Sequence, residues 1–211
     1  MRYQYINHFP NSTDENAQMS VYADCLEHGA HHSWMGFIDA DEYLVPAPGN
    51  YYLPDYLRRF EGQCALILNW RLMGSNNHLT RQEGGLLEHY TRCAGKDIQL
   101  GHQTKIIANP RLLDDFVGRG SSQGPHLVYC RNGTSMVTED LEPFADMGPS
   151  TVPMETLAVY HFMTKSRQEF AEKAVRGGAT GDKRTLDFFD VVEALMTEDC
   201  FDARNLSRTM G

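Results

Sequence analysis

The stretch Trp34-Met-Gly-Phe-Ile-Asp-Ala-Asp-Glu-Tyr-Leu-Val-Pro46 constrains the fold more than any other part of the sequence. Trp34, Phe37 and Ile38 read as a short buried strand, and the apolar run stops abruptly at acid. Upstream, Met19, Tyr22, Ala23 and Leu26 recur at helical spacing over about 18–28, and Gly29 ends that helix. A helix feeding a strand with an acidic C-terminal end is how open α/β sheets place a binding crevice. Asp39 and Asp41 are two apart, so a strand continuing through them puts both carboxylates on one face and turns Ala40 away. Paired carboxylates raise each other's pKa unless a cation lies between them, and a hard divalent ion meets that need. The bland alternative is a solvated strand end or an Asx turn. The strand before the pair and Glu-Tyr-Leu-Val-Pro after it favour the cation.

The 211 residues suffice for one domain with a real core. They include 28 acidic against 19 basic side chains, a net charge of −9, with no basic stripe interleaved with aromatics, which argues against nucleic acid as a partner. No apolar run approaches the ~18 residues of a membrane span, and Met1-Arg-Tyr-Gln does not open a signal peptide, so these residues read as soluble. Cys25, Cys64, Cys93, Cys130 and Cys200 are widely spaced without a C-x-x-C, which argues against zinc-ribbon and thioredoxin chemistry. Their odd number leaves at least one thiol free or bound to another molecule. Asn11-Ser-Thr, Asn132-Gly-Thr and Asn205-Leu-Ser are glycosylation sequons, which matter only in the secretory pathway.

The remaining elements are short and mixed. A strand at Tyr3-Gln-Tyr-Ile and a polar loop, Asn11-Ser-Thr-Asp-Glu-Asn, precede the first helix. Pro46, Pro48, Gly49 and Pro54 make a loop that leads to a short helix near Asp55–Phe60. Ala65-Leu-Ile-Leu-Asn-Trp-Arg-Leu is a second buried strand, ending in a turn, Met73-Gly-Ser-Asn-Asn-His78, of the kind that offers backbone N–H groups to a ligand. One or two helical turns follow over 85–93. Strands at Thr104-Lys-Ile-Ile-Ala and His126-Leu-Val-Tyr-Cys flank a Gly/Ser-rich stretch, Gly118–Gly124, while residues 133–153 carry little pattern. Leu157-Ala-Val-Tyr delivers His161 at its end, and Ser166-Arg-Gln-Glu169 is a capping box for a helix that Gly177-Gly178 stops. A last helix at about 185–196 carries Leu186, Phe189, Val192 and Leu195 on one face. Strands and helices without clean alternation predict an α/β domain on a mixed sheet.

Three segments in order carry a family likeness. They are Trp34…Phe-Ile-Asp-Ala-Asp-Glu-Tyr-Leu44, then Asn69-Trp-Arg-Leu-Met-Gly-Ser-Asn-Asn-His78 with Leu87-Glu-His-Tyr90, then Tyr160-His-Phe-Met-Thr-Lys-Ser-Arg-Gln-Glu-Phe-Ala-Glu-Lys-Ala-Val-Arg-Gly177. Together with Lys105-Ile-Ile-Ala-Asn-Pro110 and Pro125-His126, they resemble glycosyltransferase family 92 and the related family-2-like transferases. The resemblance implies a GT-A-like mixed central sheet flanked by helices, in one domain over 1–211 with its core at about 18–178. It also implies that the N-terminal strand–helix–strand unit that holds uridine and ribose is missing. Tyr43 stands where the family has Phe, and Asn76-Asn77 where it has Ser-Gly.

The function implied is metal-dependent transfer of a hexose, galactose for example, from a UDP-sugar to a glycan acceptor with inversion. Asp39 and Asp41 would hold Mn²⁺ or Mg²⁺ against the diphosphate, with His161 as a further metal or diphosphate contact; imidazole suits Mn²⁺ better. Lys165, Lys173 and Arg176 are the nearest cations in sequence, and the last two share a helix face that could meet phosphate. Trp70 and His78 would border the acceptor sugar, although Trp70 reads equally as core. Inverting transfer needs a base, for which Glu88 comes first, ahead of Glu139 and Asp140; Glu42 by alternation points to the other face. The family places the chain in the Golgi lumen, with membrane contact only through an upstream anchor absent here. Two readings compete. A truncated or inactive domain would bind sugar or nucleotide without turnover. A metal-dependent phosphohydrolase would want a second acidic cluster, often for an ion ~4 Å from the first, and the sequence shows none in comparable strand context.

Overall fold

The computed structural model describes residues 17–48, 52–98, 103–116, 126–144, 152–177 and 184–210. The expected strand at Tyr3, the polar loop after it, Gly118–Gly124 and Gly178 lie outside them. In chain order the elements are helix α1 (Ala17–Gly29), strands β1 (Met35–Phe37) and β2 (Glu42–Pro46), and helix α2 (Leu53–Leu57), continued by a 3-10 turn at Arg58–Phe60. Strand β3 (Ala65–Leu72), helix α3 (Leu86–His89) and strands β4 (Arg92–Cys93), β5 (Thr104–Ala108), β6 (Leu113–Phe116), β7 (Val128–Cys130), β8 (Met136–Val137) and β9 (Leu157–His161) follow. Helices α4 (Arg167–Arg176) and α5 (Leu186–Ala194), strand β10 (Glu198–Asp199) and helix α6 (Asp202–Met210) complete them.

The sheet is mixed, as the uneven element order predicts. Its order is β1-β5-β3-β9-β2, with β8 also pairing β3. β3 runs antiparallel to β5 and parallel to β8 and β9, while β2 pairs β9 antiparallel. All eight residues of β3 are buried, which is why its sequence is an almost unbroken apolar run. Period two divides its side chains between two cores. Leu66, Leu68, Trp70 and Leu72 pack with Tyr56, Phe60 and Val192 of the α2 and α5 regions. Ala65 and Ile67 pack with Met19 of α1 and with Phe116 and Val128 of the β6–β7 hairpin. A third cluster joins Ala158 and Tyr160 to Tyr90, Cys200 and Ala203 under α3 and α6.

Two disulfides hold the ends of these layers. Cys64–Cys130 ties the start of β3 to β7, and Cys93–Cys200 ties β4 to the entry of α6, with Cα separations of 5.5 and 5.9 Å. Closing loops of this length stabilises by on the order of 4 kcal/mol each in the chain-entropy account. Cys25 is the free thiol that the odd count required.

The capping box at the head of α4 forms as read, with Ser166 and Glu169 bonded reciprocally, and Gly177 ends the helix at φ +83°. Three expectations need correcting. β1 stops at Phe37, so the strand does not continue through the aspartates. α5 buries Phe189 and Val192 but leaves Leu186 41% exposed, because the helix starts at Leu186 itself, beyond the edge of the core. The turn 75–78 turns its N–H groups inward: Ser75 N donates to the Glu193 carboxylate at 2.9 Å, and Asn77 N to Ser75 Oγ at 3.0 Å. Asn76 and Asn77 both take φ near +55°, which asparagine tolerates better than most residues.

Candidate functional site

The chain leaves β1 and reverses through a tight turn in which Glu42 N donates to Asp39 O at 3.0 Å. The Glu42 carboxylate folds back and accepts from Asp39 N at 2.8 Å. This places Asp39 and Asp41 on a turn between β1 and β2. Asp39 faces α1 and β5, accepting from Gln18 Nε2 at 3.1 Å and pairing with Lys105 Nζ at 2.9 Å. Lys105 is itself buried, and its Nζ lies 3.2 Å from Glu42 Oε2. Glu42 therefore does not point away from Asp39. The turn inverts the alternation that a continuous strand would have kept.

Asp41 faces the other way, toward β9 and α4. Its backbone carbonyl accepts from Phe162 N at 2.9 Å, which pins the turn to the end of β9. Its carboxylate accepts from Lys173 Nζ at 2.7 Å and lies 3.7 Å from His161 Nε2. His161 stands opposite Glu42 in the β2–β9 register and opposite Leu72 in the β3–β9 register. Its ring is 4.1 Å from that of Trp70, whose other neighbours are His126 at 6.2 Å and Lys105 Nζ at 5.9 Å.

A cavity of about 140 Å³ opens beside Asp41 and is lined by Arg81, Lys165, Lys173 and Arg176 among others. Glu169 and Glu172 pair with Arg81, so that cation is already compensated. Lys165 and Arg176 have no ion-pair partner among the described residues, and Lys165 is held at φ +52°, uncommon for a residue with a side chain. The structure thus gathers Asp41, Lys165, Lys173 and Arg176 at the cavity, with His161 against Asp41 and Trp70 against His161. Asp39 lies on the other side of the turn with Lys105 and Glu42, and His126 meets the far side of Trp70.

Two expected residues stand apart. Glu88 turns to α6, accepting from Arg208 Nη2 and Ser207 Oγ, both at 2.9 Å. Those hydrogen bonds hold its carboxyl below the ordinary range, which makes it a weaker base. His78 bonds the His89 carbonyl through Nε2 at 3.2 Å and meets the Tyr90 ring edge-on. Its backbone carbonyl accepts from Arg167 N at 3.0 Å, anchoring the start of α4. Glu139 is committed to the backbone N–H groups of Glu155 and Thr156. Trp70 is 7% exposed, a wall of the site rather than an open stacking face.

The charges in the site are tuned by burial and pairing. Burial pushes Asp41 up, but Lys173, His161 and Lys165 outweigh it and hold the carboxyl below its usual range. Burial pulls Lys105 down, and Glu42 and Asp39 more than restore it, leaving it raised. Burial raises Glu42. Burial takes His161 down to about 4 from 6.5, with Asp41 opposing. Between those values the unfolded chain binds a proton that the folded chain does not, so stability falls as pH drops from 6.5 toward 4. At ~1.4 kcal/mol per unit the loss is on the order of 3 kcal/mol. Urea titrations at both ends of that window should show it, and His161→Gln should flatten it; an unchanged slope in the variant would assign the limb to other groups.

Glu42 Oε1, Trp70 Nε1 and His161 Nδ1 are buried without hydrogen-bond partners among the described residues. Orphans of this kind are rare and mark places that water, an ion or a ligand completes. Among the described residues no three His, Cys, Asp or Glu side chains converge as a metal cage. Asp41 and His161 form a two-donor edge. Hard divalent ions are commonly held by one or two carboxylates together with water and substrate phosphate, so Asp41 fits such an ion, and the His161 imidazole beside it suits Mn²⁺ better than Mg²⁺. Asp39, with its oxygens shared between Gln18 and Lys105, fits less directly. Residues 2–117 match the family model described as Glycosyltransferase family 92, a span that contains both aspartates, Trp70 and Lys105. No curated protein matches the chain.

Proposed function

The chain belongs to glycosyltransferase family 92, and from that premise we propose that it transfers a hexose from a UDP-sugar to a hydroxyl of a glycan acceptor, with inversion, on a GT-A-like sheet. The observation that carries this reading is the convergence of Asp41, which His161 backs at 3.7 Å, with Lys165, Lys173 and Arg176 around one small cavity. A diphosphate is the ligand whose charge that arrangement complements. Mn²⁺ or Mg²⁺ would be held by Asp41 and His161 with Asp39 beside them, and when bound it supplies Lewis-acid stabilisation of the departing nucleoside diphosphate. Arg176 and Lys165, without ion-pair partners among the described residues, would attract the phosphates. Lys173 neutralises Asp41 in the nucleotide-free chain and stands ready to meet phosphate.

The two disulfides fit an oxidising compartment, and the Golgi lumen is the one we propose. Among the described residues no helix is long and apolar enough to cross a membrane. A phosphohydrolase using two metal ions would need acids gathered for both, and among the described residues no three His, Cys, Asp or Glu side chains converge. The test is thermal unfolding with UDP, Mn²⁺ and both together, followed by assay of UDP release from a panel of nucleotide sugars. Both ligands together should raise the melting temperature more than either alone, and one UDP-hexose should turn over. No stabilisation by any nucleotide would refute the reading. Stabilisation without turnover would favour an inactive binding domain.

A further inference from the structure

We infer that Asn132 is a modification site, its side-chain amide carrying an N-linked oligosaccharide on the turn that joins β7 to β8. Asn132-Gly-Thr134 meets the acceptor pattern, which is used where it lies on an accessible surface loop. Thr134 N donates to Arg131 O at 3.0 Å, and between them Asn132 and Gly133 stand at φ +55° and +70°. Two successive positive φ angles inside such a bond are the signature of a type I′ turn, for which Asn-Gly is a favoured pair. The turn is held at both feet: Arg131 N donates to Leu112 O at 2.8 Å, and Cys64 N to Ser135 O at 3.0 Å. Its tip is open. Arg131, Asn132 and Gly133 are exposed, and a Cβ added at Gly133 would meet no atom within 4 Å, so there is room here for a bulky substituent.

Of the other two sequons, Asn11 lies outside the described residues and Asn205 sits in helix α6. Asn205 N donates to Phe201 O at 2.8 Å, and the Ser207 hydroxyl that completes its sequon is bonded to Glu88 Oε1 at 2.9 Å. The Cys64–Cys130 disulfide closes two residues before Asn132, which fits an oxidising compartment of the kind in which asparagine receives oligosaccharide. That compartment is all the inference shares with the proposed function. In the step, Asn132 Nδ2 bonds to the anomeric carbon of a lipid-diphosphate-linked oligosaccharide, which the compartment supplies together with the transferring enzyme. The bond from that carbon to the phosphate oxygen breaks, its electron pair leaving on the lipid diphosphate, and one amide proton departs. The glycan stands clear of the candidate site. Cys64 and Ser135 mark the start of β3, whereas His161 lies opposite Leu72 at its end, on the order of 20 Å away along an eight-residue strand.

The test expresses the whole chain behind a cleavable secretory signal in cultured eukaryotic cells and releases N-linked glycans enzymatically in water labelled with heavy oxygen. Release leaves labelled aspartate wherever a glycan was attached, and a parallel sample without the enzyme discounts spontaneous deamidation, to which Asn-Gly is prone. Peptide mass spectrometry should find the label at Asn132 in most molecules. Asn132→Asp, which keeps a residue tolerant of positive φ, and Thr134→Ala should each abolish it, while Thr134→Ser keeps it. Asn205→Gln should leave the label at Asn132 unchanged. An unlabelled Asn132 overturns the inference, in secreted and retained chain alike, and so does label confined to Asn11 or Asn205. Stabilisation by UDP with Mn²⁺ is measured beside it and should be the same before and after glycan release. A chain glycosylated at Asn132 that binds no nucleotide fails the transferase reading and leaves the modification site standing.

Discussion

Lys105→Met is expected to lower folding stability by about 3–5 kcal/mol, the usual cost of stranding one partner of a buried ion pair. The Lys105 side chain is 2% exposed, and that of Glu42, 3.2 Å away, is fully buried. Asp39, at 40% exposure, can turn to water once its partner is gone. Glu42 cannot, and burial already holds its carboxyl above the ordinary value. Without Lys105 it takes up a proton, which caps the loss but leaves a neutral acid with one oxygen already unpartnered. For a chain of this size the melting temperature should fall by roughly 6–20 °C. Adding Glu42→Gln should recover much of that, because the amide oxygen still accepts from Asp39 N and no charge remains to be compensated. Urea unfolding of both variants decides the matter. A single variant within about 1 kcal/mol of wild type would put this pair among those of surface strength.

That buried lysine also shows where sequence reading stops. Thr104-Lys-Ile-Ile-Ala announces a strand but gives no sign that its lysine is inside. Burial follows from β5 lying between β1 and β3, with Leu68 opposite Lys105, and such pairings are set by the whole sheet. The same limit governs Asp39 and Asp41. Two-residue spacing predicts a shared face only on a continuous strand, whereas the Glu42 carboxylate closes a turn on the Asp39 N–H and sends the two acids to different lysines. By contrast β3, the α4 capping box and the delivery of His161 by β9 were legible. Each rests on a signal within eight residues: an apolar run, a reciprocal hydrogen bond, a strand end. α6 was not foreseen, since it is polar and docks through Ala203 and the Glu88 pairs. Its docking is also what takes Glu88 away from the role that its sequence neighbours suggested.

The unequal surroundings of the two aspartates make the second large effect asymmetric. Asp41→Asn should abolish the combined stabilisation by UDP and Mn²⁺ and lower transfer by at least about 100-fold, the loss of several kcal/mol of charge stabilisation. Asp39→Asn should do distinctly less, because its oxygens already serve Gln18 and Lys105 rather than the cavity. Lys173→Met separates the two contributions at Asp41. On the proposed reading Lys173, bonded to Asp41 in the nucleotide-free chain, would compete with a cation for that carboxylate, so its removal should strengthen Mn²⁺ binding measured alone. The same variant should weaken UDP, which loses a phosphate partner. Calorimetric titration with Mn²⁺, then with UDP at saturating Mn²⁺, measures both effects. Equal losses from the two aspartates would mean that both reach the ion when nucleotide is bound, and that Lys105 must then release Asp39. Stabilisation that survives Asp41→Asn would remove the cation from the mechanism and leave Lys165, Lys173 and Arg176 to bind the diphosphate by themselves.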